Sequence, residues 1–428
     1  LKLEIRSLKI FLSLTVIMDA FNGFATNYLP EVLGQIVPSI RTLALFYLLI
    51  MLLQVSKVRF TLLISILSFD IGSIFLLLNN EGQLDISHIM NELTFFSKIY
   101  FYVILLILIR SLQGINLIDS NWINEILRFN FRVMPFLFIL PTIVGLSRKT
   151  YVNSSLGNSG FFIANNSSNI VLIVASIYFL VNIIKIFDST RVVNSCYLLV
   201  TWLALWMQGS KTSVASITFE LGILIVFVLT FPVIKKTVRA WQVVGYLIIV
   251  LILFIAIVVS LFNLDAIYQH LRSALQGLLI RQQYLYRASN SIIDTLLSGR
   301  FSRLQQMLSI VKSNGIPFSV VFGAGVSMLP VGFIAEMDMV DLFIDGGVFL
   351  VILVYGVTIG YMWKRNSGDR AHIFSKWGLL VLILYSLVAG HVFKEILAST
   401  FVALLVSFDR KDKKSEDSYT DPTVSKRG

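Results

Sequence analysis

Phe343-Ile-Asp-Gly-Gly-Val-Phe-Leu-Val-Ile-Leu-Val-Tyr-Gly-Val-Thr-Ile-Gly-Tyr-Met-Trp363 is the stretch whose reading decides the fold. It has the length of a bilayer-crossing helix, roughly 20 mostly apolar residues. Asp345 is its one charge. Tyr246-Leu-Ile-Ile-Val-Leu-Ile-Leu-Phe-Ile-Ala-Ile-Val-Val-Ser-Leu-Phe262 carries none. Neither run alternates polar and apolar residues, as a membrane β-strand would. Comparable runs predict spans at 8–26, 38–55, 60–78, 95–112, 130–147, 162–184, 193–209, 213–233, 241–263, 340–363, 376–391 and 394–408. The expected fold is therefore all-α: a polytopic membrane protein with about twelve helices. Composition agrees, with 56% hydrophobic and 14% charged residues, where a soluble domain carries about 25% charged.

Charge sets the orientation. Lys2, Arg6 and Lys9 precede the first span, and Lys57 and Arg59 separate the second and third. Arg128 and Arg132 precede the fifth, Lys185 and Arg191 follow the sixth, and Lys235, Lys236 and Arg239 follow the eighth. Lys364, Arg365 and Arg370 follow the tenth, and Arg410, Lys411, Lys413 and Lys414 follow the last. Twelve spans put all of these on one side, the cytoplasm, with both termini. Much of the formal net charge of +11 is thereby membrane topology, not a nucleic-acid surface. The expected segments are a nine-span bundle over 1–263, a basic helical extracytoplasmic loop over 264–337, C-terminal spans over 338–408 and a disordered cytoplasmic tail over 409–428. The first apolar stretch, from Ile10, reads as a signal anchor. Cys196 is the one cysteine, so no disulfide forms within the chain. His88, His270, His372 and His391 show no ligand spacing, so neither a metal nor a cofactor is expected.

Three basic features fall outside, against the sorting rule: Arg148 with Lys149, Lys211, and the long loop. The loop holds Arg272, Arg281, Arg287, Arg300, Arg303 and Lys312 against Asp265 and Asp294. Loops beyond about 60 residues escape the rule, so this charge is free to reflect function. Guanidinium forks suit phosphate, although a solvated helix face beside lipid headgroups reads the same way.

Five motifs carry a resemblance. They are Gly160-Phe-Phe-Ile-Ala-Asn-Asn166, Gly209-Ser-Lys-Thr-Ser213, Ser298-Gly-Arg300 followed by an amphipathic helix and Phe322-Gly-Ala-Gly325, Glu336-x-Asp-x-x-Asp341 with Gly346 and Gly347, and Ala389-Gly-His391. Their order and spacing over roughly 160–405 resemble the bacterial polysaccharide polymerases and O-antigen ligases, the Wzy-like superfamily. Lys211 stands where the family more often has Arg, and Glu336 where ligases tend to carry His.

The resemblance implies a GT-C-like membrane fold in the bacterial inner membrane. It also implies metal-independent, inverting glycosyl transfer from an undecaprenyl-pyrophosphate-linked oligosaccharide. Glu336 in place of His favours the polymerase, whose acceptor is the next lipid-linked repeat. The alternatives are a ligase, and a flippase or transporter of the same lipid-linked oligosaccharide. The partners implied are that substrate, membrane lipid and a chain-length regulator.

Such a reaction needs a base for the acceptor hydroxyl and stabilisation of the leaving pyrophosphate. Arg300 and Arg303, three apart, share a helix face and are expected to grip the pyrophosphate. Lys211 either assists them or snorkels to headgroups. Glu336 either acts as the base or orients the loop by pairing with an arginine. Asp341 is the third catalytic candidate, with pairing to a loop arginine as its other reading. Asp338 either touches substrate or complements its helix dipole. Asn165 and His391 complete the expected substrate contacts, with a helix cap and a polar turn as their respective alternatives.

Overall fold

The computed structural model describes residues 1–80, 86–149, 157–184, 191–235, 245, 248–249, 251–252, 255–256, 282–284, 286–287, 289–296, 299–313, 320–326, 335–363 and 371–408. Among these, all regular structure is helical, and one isolated antiparallel bridge joins Lys149 to Asn158. The helices are α1 (Lys2–Ser13), α2 (Thr15–Tyr28), α3 (Glu31–Gly34), α4 (Ile36–Val55), α5 (Lys57–Asn80), α6 (Ile86–Gly114), α7 (Ser120–Ile143) and α8 (Asn165–Ile184). They continue with α9 (Arg191–Gln208), α10 (Lys211–Lys235), α11 (Ile292–Leu296), α12 (Arg300–Ser313), α13 (Asp338–Val351), α14 (Val357–Trp363), α15 (Ala371–Val388) and α16 (Ile396–Ser407). A π-turn over Ile352–Gly356 joins α13 to α14.

Six helical stretches among the described residues are long and apolar enough to cross a membrane, or seven if α1 and α2 count as one bent span. Most of the expected ninth span and much of the basic loop lie outside the described residues, as does the tail over 409–428. Two boundaries differ from expectation. Helix α6 begins at Ile86, ahead of the expected span at 95–112, which places Glu92 inside a helix and 3% exposed. Helix α7 begins at Ser120 because Asp119 caps it, accepting from the Trp122 N–H at 2.8 Å. Arg128 and Arg132 thus lie within α7.

The layout follows from burial. All twelve residues of α16 are buried, as a helix apolar on every side requires. It packs against α6, α7, α8 and α15. Phe131 of α7 stacks on Phe401 at 5.2 Å between ring centroids. The last carbonyls of α16 have no partners within the helix. Arg110 donates to the Val406 carbonyl, and Gln113 donates to that of Ser407 at 2.6 Å. The outer wall is the reverse: Leu43, Phe46, Val58, Leu62 and Ile143 are exposed, a surface suited to lipid.

The first span is broken at Leu14, where α1 and α2 meet with a 52° bend. A break frees backbone polar groups, which cannot stay unpaired in hydrocarbon. Asn130 of α7 repairs this one. Its carbonyl oxygen accepts from the Val16 N–H at 3.2 Å, and its amide donates to the Leu12 carbonyl at 3.0 Å. Asn130→Leu removes both of these bonds and is predicted to cost about 1–3 kcal/mol. Thermal unfolding of the detergent-purified protein checks this; an unchanged midpoint would remove Asn130 as the repair.

Candidate active site

Two carboxylates at the start of α13 organise the site. Asp338 accepts three consecutive backbone N–H groups, from His391 at 2.6 Å, Val392 at 2.6 Å and Phe393 at 2.8 Å. One turn on, Asp341 accepts from the Lys394 ammonium at 2.8 Å and from the Ala335 N–H at 2.8 Å. Together they fasten the turn between α15 and α16 onto the segment Ala335–Met337. The fit leaves no room for a side chain at Gly390, whose φ is +65°. A Cβ there would lie 2.6 Å from the Glu336 carbonyl. The Gly323-Ala-Gly325 segment docks on the middle of α13, with the Ala324 N–H on the Ile344 carbonyl at 2.6 Å and the Gly325 N–H on that of Asp345 at 3.2 Å.

The Gly209–Ser213 turn has its own support. Gly209, at φ +63°, ends α9, and Ser210 caps α10 by accepting the Ser213 N–H at 3.0 Å. Lys211 is the first residue of α10. Asn169 of α8 holds the turn, donating to the Ser210 hydroxyl at 3.1 Å and accepting from Ser213 at 2.8 Å. Gln208 donates to the Asn165 carbonyl at 3.1 Å. In the loop, Asp294 caps α12 by accepting the Ser302 N–H at 3.0 Å and the Ser302 hydroxyl.

From α12, Arg300 reaches one oxygen of Glu336 at 3.0 Å and Arg303 reaches the other at 3.2 Å. Burial opposes ionisation of Glu336, but the two guanidinium groups outweigh it and hold the carboxyl below its ordinary 4.5. A depressed carboxyl pKa means the pairing is complete at neutral pH and is lost only as pH falls from about 4.5 through the lower folded value.

These parts converge on one cavity of about 650 Å³, lined by Asn165, Lys211, Arg300, Arg303, Glu336 and His391 among others. Six of the eight expected residues therefore share a wall. Asp338 and Asp341 do not line it. They are 0% and 1% exposed, engaged by the turn and by Lys394, which takes the place of the loop arginine expected for Asp341. Glu395 lines the cavity beside His391, and Asn169, Gln208 and Tyr385 also line it and were not foreseen. Asn169 had a signal, one turn beyond Asn165 in a polar run. Tyr385 lies in an apolar run that gave none. Among the described residues no group of three or more His, Cys, Asp or Glu is placed to hold a metal.

Residues 6–284 match the family described as O-antigen ligase like membrane protein. The chain belongs to that family. An O-antigen ligase-like protein is a multi-pass membrane protein of O-antigen-related polysaccharide biosynthesis, with glycosyl transfer in the broad sense as its chemistry. No curated protein and no solved structure matches the chain. The family match takes in residues 6–159, which lie ahead of the motifs that carry the resemblance. It includes the Gly160–Asn166 and Gly209–Ser213 motifs and ends before Ser298, so the arginines and Glu336 enter the site by geometry.

Removing one partner of a buried ion pair costs about 3–5 kcal/mol because the other charge is left uncompensated. Lys394→Met is therefore predicted to destabilise this ligase-like protein strongly, and Lys394→Met with Asp341→Asn to recover most of the loss. Thermal denaturation of the three proteins in detergent tests it; a double variant as unstable as the single one would count against the pair.

Proposed function

We propose that the chain is a polysaccharide polymerase that joins lipid-linked oligosaccharide repeats at the outer face of the bacterial inner membrane. Its donor would be an undecaprenyl-pyrophosphate oligosaccharide. The observation that carries the reading is the convergence of Arg300, Arg303, Lys211 and Glu336 on one 650 Å³ cavity. Two guanidinium groups and an ammonium form a fixed receptor for a pyrophosphate. Cations held in place before the reaction stabilise charge as it develops, with no reorganisation at that moment.

In the proposed reaction the acceptor hydroxyl oxygen attacks the anomeric carbon on the face opposite the pyrophosphate. The carbon–oxygen bond to pyrophosphate breaks with its electron pair leaving on the phosphate oxygen. Inversion follows from the single displacement. The hydroxyl proton goes to a base in the cavity. Asn165, His391 and the polar groups beside them are placed to hold sugar or phosphate oxygens. The orientation that fits is twelve spans with both termini in the cytoplasm, and a chain-length regulator is the protein partner that fits the activity.

The second reading compatible with the family's description is a ligase that passes finished glycan to another acceptor. Loss of the gene separates the two. Polymerase loss leaves single repeats on the surface anchor, whereas ligase loss leaves polymer on the carrier lipid. Arg300→Ala is predicted to lower chain growth by roughly 100-fold or more, the scale seen when a fixed charge-stabilising donor is removed. The readout is the length distribution of surface glycan, with membrane insertion checked by blotting. Normal chain length from an inserted variant would end the pyrophosphate role of Arg300.

A further inference from the structure

The arginine pair is already occupied. Each oxygen of Glu336 rests on a different guanidinium, at 3.0 Å and 3.2 Å. Carboxylate and phosphate offer a guanidinium fork the same kind of acceptor, so Glu336 stands where an anionic ligand would. The occupancy is incomplete. The Arg300 Nε is buried and has no hydrogen-bond partner among the described residues. A buried donor left in that state costs about 1–3 kcal/mol, and an anion with more oxygens than a carboxylate can satisfy it.

The contact is also placed for exchange. Arg300, Arg303 and Glu336 all line the cavity, and the Glu336 side chain is 33% exposed. Its backbone sits at φ +59°, an unfavourable region for a residue with a Cβ. The flanking backbone is fixed, through the Ala335 N–H on Asp341 and through Asp338 on the neighbouring turn. The Glu336 side chain can therefore turn away without the segment moving.

We propose that Glu336 is a displaceable internal anion: the donor's pyrophosphate takes Arg300 and Arg303 from it, and the released carboxylate becomes the base for the acceptor hydroxyl. This rests on the pyrophosphate reading of the cavity. While paired, Glu336 is a poor proton acceptor, held below its ordinary range by the two arginines. Once the donor binds, those charges are spent on phosphate. The acceptor proton then moves to Glu336 as the new glycosidic bond forms and the pyrophosphate leaves with its electron pair. The base is thus unmasked by the donor, and donor binds before acceptor in every productive cycle.

The test is direct binding of inorganic pyrophosphate to the detergent-purified full chain by titration calorimetry. Glu336→Gln removes the competing charge and is expected to bind pyrophosphate roughly tenfold more tightly, a gain of about 1.4 kcal/mol, while losing glycan-joining activity. Glu336→Asp, with a shorter reach to the arginines, should show a smaller gain and serves where the Gln variant fails to fold. Unchanged or weaker binding in either folded variant, with the native chain binding normally, overturns the displacement and leaves the pyrophosphate site standing. Absence of binding in both the native chain and Glu336→Gln overturns the site itself, and the displacement with it.

Discussion

The site depends on one carboxylate. Asp338 accepts three successive amide hydrogens from a turn more than fifty residues away. An ionised acceptor makes bonds roughly twice as strong as a neutral one. Burial raises the stakes, since a carboxylate in hydrocarbon is tolerated only with partners. Asp341 with Lys394 repeats the logic one turn deeper. The two contacts join the segment leaving the loop to the turn between the last two helices. Without them Glu336 and His391 would share no wall, and the arginines of α12 would meet no carboxylate.

The rest of the bundle supplies a frame on which that clamp can act. Helix α16 is buried on every side, with its last carbonyls taken up by Arg110 and Gln113. Its N-terminal end is then held by the clamped turn. The Gly209–Ser213 turn is fixed from the other side by Asn169 and Gln208. The cavity therefore lies between two turns, each tied to a neighbouring helix by side-chain hydrogen bonds. Placing charged groups on turns braced in this way limits the reorganisation that a charge-stabilising site must avoid.

Much of this was legible in the sequence, and the reason differs from residue to residue. The spacing of Arg300 and Arg303 put them on one face, because helical geometry alone settles that. Lys211 was legible as an unusual charge in a turn between two apolar runs. Asp341 was legible as inward-facing, because exposure to lipid is costly, whereas Asp338 was legible only as a substrate contact or a helix-dipole partner. Their partners were not, since these are supplied by residues 391–394, brought near only by the tertiary fold. Glu92 fell outside the expected span because hydropathy marks where apolar residues begin, whereas α6 starts nine residues earlier. The same gap left Arg128 outside the expected span at 130–147, whereas the Asp119 cap, not hydropathy, sets the start of α7.

Charge balance ties the two proposals together. Lys211, Arg300 and Arg303 bring three positive charges to the cavity, and Glu336 removes one. Glu395, also on the wall, is offset by Lys98 at 3.3 Å. Among the described residues the cavity wall is then positive by two, with histidine counted as neutral. A sugar–pyrophosphate–lipid diester carries two negative charges. When it reacts, the leaving pyrophosphate gains one further negative charge. If Glu336 takes the acceptor proton, the wall loses one negative charge in the same step. The cavity would therefore remain matched to its contents before and after transfer. A base outside the cavity would leave the departing pyrophosphate one charge short of compensation, in a setting where low dielectric makes such a mismatch costly.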